Sequence, residues 1–210
     1  DINSGIWEFV GDADGISDTF TLKDFGAADY YNVVINATDG ASDTFQLGAN
    51  LDVNGNMTIT SGTLDVSSSN YSINAGGNWS NSGSFNARSG TVTFDSTASG
   101  KTITSGGSSF ENITFNGVGG GWTLQDVLDA NSNFTLTNGT VNANGMAMNI
   151  GGNWSNAGTF TAGNNTVTFD GGKVTLTGST TFYNLTKNVS SPIALTVEAG
   201  STQTIAGTLD

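Results

Sequence analysis

The feature that most constrains this chain is self-similarity. Gly76-Gly77-Asn78-Trp79-Ser80-Asn81 recurs as Gly151-Gly152-Asn153-Trp154-Ser155-Asn156, 75 residues on. Phe85 and Phe160 keep that offset, as do Thr91-Val92-Thr93-Phe94-Asp95 and Thr166-Val167-Thr168-Phe169-Asp170. Near the N-terminus, Asp14-Gly15-Ile16-Ser17-Asp18-Thr19-Phe20-Thr21-Leu22 matches Asp39-Gly40-Ala41-Ser42-Asp43-Thr44-Phe45-Gln46-Leu47 at an offset of 25. Since 75 is three times 25, the spacing predicts a structural period near 25 with three turns in each larger module. Looser echoes drift, Asn112-Ile113 to Asn184-Leu185 by 72 and Leu51-Asp52 to Leu128-Asp129 by 77, so loop lengths vary between turns.

Within a period the pattern is short and alternating. Met57-Thr58-Ile59, Leu64-Asp65-Val66, Tyr71-Ser72-Ile73, Phe134-Thr135-Leu136 and Val174-Thr175-Leu176 place apolar residues two apart, the signature of a half-buried strand. Gly, Asn, Asp and Ser punctuate these runs and supply turns. No run carries helical spacing. A sandwich pairs neighbouring strands as hairpins and needs no fixed period, whereas a β-solenoid stacks each coil on the last, about 4.8 Å away. The repeats therefore predict an all-β fold, a right-handed parallel β-helix with about 25 residues and three short strands per coil. It has about eight coils and is about 40 Å long. One solenoid covers 1–210, with acidic coils over 1–50 and modules of about 75 residues over 51–210, the last incomplete.

Composition narrows function. Charged residues make up 11%, yet there are twelve Phe, four Trp and four Tyr, so the chain folds, with a surface of Asn, Ser, Thr and Gly. Eighteen acids against five bases give a net charge of −13, which repels phosphate and leaves no basic stripe for nucleic acid. The absence of Cys and His removes thiol and imidazole chemistry, thiolate or imidazole zinc sites and disulfides. No apolar run has the length of a membrane helix. The first residue is Asp1 and no charged leader precedes an apolar stretch, so any signal peptide has been removed or lay outside this segment, and the Thr/Asn/Ser/Gly/Asp bias is that of secreted prokaryotic surface proteins.

On its Gly-Gly-Asn-Trp-Ser-Asn and Gly-Thr-Val-Thr-Phe-Asp units, over about residues 28–210, the chain resembles the repeat regions of large secreted prokaryotic adhesins and surface fibres, the haemagglutinin-like and autotransporter-like β-solenoids. That resemblance implies a passive extracellular stalk, fibre or adhesion scaffold and brings no catalytic residues. The ends fit. Ile6, Trp7 and Phe9 begin a strand almost at once, and Gly207-Thr208-Leu209-Asp210 copies Gly62-Thr63-Leu64-Asp65 and stops in mid-module. Either the segment belongs to a longer repeat protein, or copies of the chain dock head to tail through Ile6, Trp7, Phe9, Thr208 and Leu209 and build a filament.

Several residues are candidates for chemistry. Asp12, Asp14 and Asp18 surround a glycine turn, and a 25-residue period stacks Asp39 on Asp14 and Asp43 on Asp18, a set that Ca²⁺ would relieve of like-charge repulsion. The alternative is solvated turns. For a β-helix polysaccharide-active enzyme, Arg88, Lys23, Lys101, Lys173 and Lys187 are too dispersed to support paired acids, and Asp95 and Asp170 read as a repeated turn residue, so no catalytic residue is assigned. Thr-x-Thr pairs at Thr58/Thr60, Thr91/Thr93, Thr102/Thr104, Thr135/Thr137, Thr166/Thr168 and Thr175/Thr177 suggest an ice-binding ladder, but their spacing is not one coil length. Trp79, Phe85, Phe94, Trp154, Phe160 and Phe169 read as module core ahead of a stacking platform for a surface glycan. Asn-x-Ser/Thr triplets such as Asn78-Trp79-Ser80, Asn112-Ile113-Thr114 and Asn184-Leu185-Thr186 offer glycosylation sites. Pro192 marks a loop or a strand start.

Overall fold

The structure, a computed structural model, describes residues 4–12, 14–23, 30–38, 43–188 and 194–210. Its strands all pair in parallel, each with the strand one turn on, and the described residues contain no helix. The result is a β-solenoid. Alternation drives it. In Thr91–Phe94, Val92 and Phe94 point inward and are buried while Thr91 and Thr93 are half-exposed, and the same phase recurs in Asn32–Asn36 and Thr166–Phe169. Placed turn on turn, the inward residues form one continuous core from Leu22 to Leu185.

The chain visits three faces per turn. The first begins with Ile6–Phe9, Asn32–Asn36, Met57–Ser61, Trp79–Asn81 and Lys101–Thr104. It continues through the second halves of the long strands Asn112–Leu124 and Phe134–Asn142 to Thr159–Thr161. The second face holds Thr19–Leu22, Thr44–Leu47, Thr63–Asp65 and Ser84–Asn86, then Phe110, Leu128–Ala130, Met148–Ile150, Thr166–Phe169 and Asn184–Lys187. The third runs from Tyr30 through Leu51–Val53, Ile73–Ala75, Thr91–Phe94 and the first halves of the two long strands, then Trp154–Asn156, Val174–Thr177 and Leu195–Val197. These steps make about eight turns.

The 25-residue offset is real where the sequence displays it. Thr19 stands beside Thr44 and Phe20 beside Phe45, their rings stacked at 5.6 Å. It is not the general coil length. Ile6 pairs with Asn32, 26 residues on, but Thr166 pairs with Asn184, only 18 on. The 75-residue repeat is accordingly not three whole turns. Trp79 stands beside Ile103, and Ile103 beside Leu124, on the first face. Trp154 stands beside Phe134, itself beside Ile113 and then Val92, on the third. Phe85 lies on the second face and Phe160 on the first; Phe94 lies on the third and Phe169 on the second. The second copy of the module is displaced by about three and two-thirds turns, so each of its strands occupies a different face from its counterpart.

Packing is nevertheless reproduced. Trp79 meets Phe85 at 5.1 Å and 72°, Phe94 at 6.1 Å and 80°, and Phe110 at 5.5 Å and 57°. Trp154 meets Phe160 at 5.0 Å and 82°, Phe169 at 6.3 Å and 87°, and Phe182 at 5.2 Å and 57°. Phe110 and Phe182 stand 72 residues apart, the drift already visible between Asn112 and Asn184. Beside each cluster a buried asparagine is clamped in the same way. Asn81 Nδ2 donates to Ser105 O (2.8 Å) and Ser108 Oγ (3.0 Å), and Asn156 Nδ2 to Ser179 O (3.3 Å) and Thr180 Oγ1 (3.0 Å). Gly106 and Gly178 pass over these asparagines at φ +63° and +75°, and a Cβ there would lie 2.2 and 2.0 Å from the carbonyl oxygens of Asn81 and Asn156. Both positions therefore require glycine.

The two copies differ at one hydrogen bond. Trp154 Nε1 donates to Thr180 Oγ1 (3.0 Å), whereas Trp79 Nε1 has no partner. Ser108 Oγ, the counterpart of Thr180 Oγ1, already accepts from Asn81 Nδ2 and from the Phe85 N–H (3.1 Å), and a hydroxyl oxygen has two lone pairs. Since the apolar packing is equal, Trp79→Ala and Trp154→Ala should each destabilise by about 3–5 kcal/mol, measured by chemical denaturation. Trp154→Phe should cost more than Trp79→Phe, because only Trp154 loses a hydrogen bond.

Candidate functional site

The sequence candidates fall into an acidic loop, two open ends and a polar outer surface. In the loop, Asp12, Asp14 and Asp18 each bring a carboxylate oxygen to within 4.8 Å of the others. Asp14 Oδ1 accepts the Ile16 N–H (2.8 Å), and Gly15 turns the chain at φ +78°. Asp43 is placed differently. It is buried at the start of Thr44–Leu47 with Oδ1 accepting the Asp18 N–H at 3.0 Å. Asp39 lies outside the described residues, as do Gly40, Ser42 and Pro192.

At the ends, Ile6 is 68% and Leu209 65% exposed, and Trp7 and Val197 are also exposed. Among the described residues, Ile6–Phe9 and Thr19–Leu22 each pair with a strand on one side only, as do Leu195–Val197 and Gln203–Ile205 at the other end. Phe9 packs inward, 6.1 Å from Tyr30 and 6.5 Å from Phe45. The Thr208 N–H donates to Asn184 Oδ1 (2.8 Å), and Leu209 bridges to Leu185.

The outer surface explains the Asn-x-Ser/Thr triplets. Those beginning at Asn56, Asn78, Asn112, Asn133, Asn153 and Asn184 stand at a strand entry: the asparagine side chain reaches along the solenoid to the next turn, the middle residue points into the core, and the hydroxyl faces out. Asn32 Oδ1 accepts the Asn56 N–H (2.8 Å), Asn56 Oδ1 the Asn78 N–H (2.9 Å) and Asn78 Oδ1 the Thr102 N–H (2.8 Å). In a second ladder Asn112 Oδ1 accepts from Asn133 Nδ2 (3.0 Å), Asn133 Oδ1 the Asn153 N–H (2.9 Å) and Asn153 Oδ1 the Thr175 N–H (2.8 Å). These asparagines serve backbone donors that open where each strand begins. The triplet is a stacking device, a role that reading it as a modification signal misses.

The Thr-x-Thr pairs divide among the faces, with Thr58/Thr60 and Thr102/Thr104 on the first, Thr166/Thr168 on the second and the rest on the third. Irregular spacing in sequence does not preclude a row in space, because turn lengths differ. Thr93, Thr114, Thr135, Ser155 and Thr177 stand side by side on the third face. Next to them Thr91, Asn112, Asn133 and Asn153 complete a shallow trough of about 370 Å³. Phe134 lies at the floor of the trough but is fully buried, as are Trp79, Trp122 and Trp154, so the trough exposes no aromatic face.

Two basic residues are committed to structure. Arg88 makes a two-pronged pair with Asp65, Nε to Oδ1 (2.5 Å) and Nη2 to Oδ2 (2.7 Å), and the Ser67 N–H adds a third bond to Asp65 Oδ1 (2.7 Å). The Arg88 guanidinium holds the Asp65 carboxyl below the usual carboxylate range, against the opposing effect of burial. Sequence reasoning missed this pair. Its one trace is that the lone arginine, at φ +44°, stands where the second copy has Gly163 at φ +64°. Lys187 Nζ donates to the carbonyls of Gly171 (2.5 Å) and Gly172 (3.0 Å). Burial pushes the Asp95 carboxyl up.

No family model, no curated protein and no solved structure matches the chain. Its function is therefore read from the fold and the surfaces above.

Removing one rung of the asparagine ladder, Asn133→Ala, should destabilise by about 1 kcal/mol, whereas Thr135→Ala on the same strand stays within about 0.5 kcal/mol; urea midpoints check both. For the ion pair, a depressed folded-state pKa contributes stability above the unfolded value, near 3.8 for Asp65, that is lost as pH falls through the folded one. Wild type should therefore exceed Arg88→Gly at neutral pH, with the difference vanishing as the pH drops well below 4. Arg88→Ala should be less stable than Arg88→Gly, because alanine loses the pair and keeps the left-handed backbone.

Proposed function

We propose that this chain is a structural segment of an extracellular filament, stalk or adhesin, a right-handed β-helical spacer whose work is mechanical and not catalytic. The observation that carries the reading is that, among the described residues, the outermost strands at both ends of the stack pair with a strand on one side only, with Ile6, Val197 and Leu209 exposed beside that edge. Such edges are templates for further strands, and a contact that joins the top of one stack to the bottom of another does not close on itself. Further coils, from the same chain or from a docked copy, would continue the ladders and cover these side chains. Right-handedness is supported by the strong preference of parallel crossovers for that hand. A net charge of −13 with a Thr/Asn surface limits adhesion to anionic matter.

A second reading, adhesion along the stalk to a neutral surface glycan, is favoured by the uncharged trough of Thr91, Asn112, Thr114, Asn133, Thr135, Asn153 and Ser155. A glycan array tests it, and loss of any binding in Asn112→Ala/Asn153→Ala would place the ligand there.

For the main reading, sedimentation velocity and negative-stain electron microscopy of the 210-residue chain should show end-to-end association that increases with concentration, into unbranched rods. Ile6→Glu and Leu209→Glu, at the two most exposed apolar side chains of the ends, should each suppress it without lowering Tm. A chain that stays monomeric at every concentration would remove docking between copies.

A further inference from the structure

The backbone ladder runs unbroken along the third face, from Tyr30 to Leu195–Val197. Each of the other two faces is interrupted once. On the second face Ser84–Asn86 pairs with Thr63–Asp65 on one side, and among the described residues no backbone hydrogen bond joins it to Phe110 on the other. On the first face Thr159–Thr161 pairs with Phe134–Asn142 and not with Thr180–Phe182, the next strand up, which pairs with Gln203–Ile205. The two interruptions fall at the same point of the module, beside Phe85 and Phe160. A tryptophan stands behind each. Where inward rings face each other across an unbroken ladder they lie nearly flat, Phe20 on Phe45 at 26°, Phe94 on Phe115 at 18° and Phe134 on Trp154 at 11°. Trp79 touches both Phe85 and Phe110, and Trp154 both Phe160 and Phe182, and these two phenylalanine pairs are tipped to 55° and 53°. A tipped ring presents its breadth along the stack, more than the roughly 4.8 Å step of a paired ladder, so the strands part.

Side chains hold what the ladder leaves open. Asn81 Nδ2 donates to Ser105 O and Ser108 Oγ, and the Phe85 N–H donates to the same Ser108 Oγ. Asn156 Nδ2 donates to Ser179 O and Thr180 Oγ1, and Trp154 Nε1 to the same Thr180 Oγ1. The Oδ1 atoms of both asparagines are buried without a partner, so opening returns these acceptors to water and offsets part of what it breaks. Beside Phe160 the parted strands already leave a cleft of about 280 Å³, walled by Ala162, Thr181, Phe182 and Tyr183. We propose that the two interruptions are joints. At each, the turns above swing away from the turns below about the two faces that are unbroken there, wetting the aromatic cluster while the other turns stay folded. Local opening of this kind draws on the least bonded part of a fold. Because one joint lies on the second face and the other on the first, the rod bends in two directions. The joints belong to the stack itself and operate whether or not copies of the chain dock.

The chain has no cysteine, so a single introduced thiol reports opening through its rate of alkylation. Ala87→Cys and Ala162→Cys, buried module counterparts beside the two interruptions, are compared in the intact chain with Ala75→Cys, buried between Val53 and Phe94 in an unbroken ladder. In urea below the unfolding transition, labelling should be at least about tenfold faster at positions 87 and 162 than at 75. Its rate should rise with urea, with a slope above zero and below that of global unfolding. Asn81→Ala should speed labelling at 87 and not at 162, and Asn156→Ala the reverse, each about fivefold; far-UV circular dichroism checks that every variant is folded. Labelling at 87 and 162 that follows global unfolding, as at 75, overturns the joints. So does a rate independent of urea, which marks a thiol reached in the closed stack. Clamp variants that act on both positions alike, or on neither, overturn the asparagines as what holds each joint shut.

Discussion

The parallel backbone ladder between successive turns is the constraint from which the rest of this structure follows. Each strand hydrogen-bonds to the strand a turn away, so its inward residues stand over inward residues and its outward ones over outward ones. A shift of one residue would turn a whole strand inside out. Length variation is therefore pushed into the corners, and this is why the turn containing Thr166 is shorter than the turn containing Ile6 while both keep the same apolar phase. Where the ladder slips, it does so at the margin of a face: between Ile35 and Asn36, where Asn36 stands next to Ser61, and between Phe115 and Gly121, where the long strands pass from the third face to the first.

The alternation, the solenoid class and the three strands per turn were legible in the sequence, because a two-residue period and a recurring module are direct traces of stacked strands. So was the core: Trp79, Phe85, Phe94, Trp154, Phe160 and Phe169 are all buried. The coil length was not. The offset of 25 at Phe20 and Phe45 belongs to one pair of turns, and nothing local tells a corner of two residues from a corner of seven. The offset of 75 was misleading for a deeper reason. Sequence repeats count strands, and a whole number of strands need not be a whole number of turns.

The polar residues were the least legible. Asn133 and Asn153 look like surface residues or glycan acceptors, yet they bond to the neighbouring turn, a partner about 20 residues away that no short window contains. Asp65 and Arg88 are 23 residues apart for the same reason. In a solenoid, the natural distance for a side-chain interaction is one turn, so motif spacings familiar from helices and hairpins carry little information. Asp43 illustrates this most sharply. Sequence placed it as a like charge stacked on Asp18, whereas the ladder turns the pair so that a carboxylate oxygen of one meets the backbone N–H of the other.

The change of face between the module's two copies says something about what the core tolerates. Four aromatic rings, a clamped asparagine and a glycine crossing keep their mutual geometry although every strand involved has moved to another side of the solenoid. That is possible only if the three faces offer nearly equivalent surroundings. The packing must then be decided by the sequence of strands along the chain and not by a fixed position around the axis. The strand with its corner is the repeating unit, and the turn is merely three of them. A fold built this way can lengthen by any number of strands without disturbing what lies below, since each new strand needs only the one a turn beneath it to pair with. The same independence leaves the outermost strands open, which is why Ile6, Trp7, Val197 and Leu209 stand exposed at the ends, in addition to Val118 and Val127 along the sides.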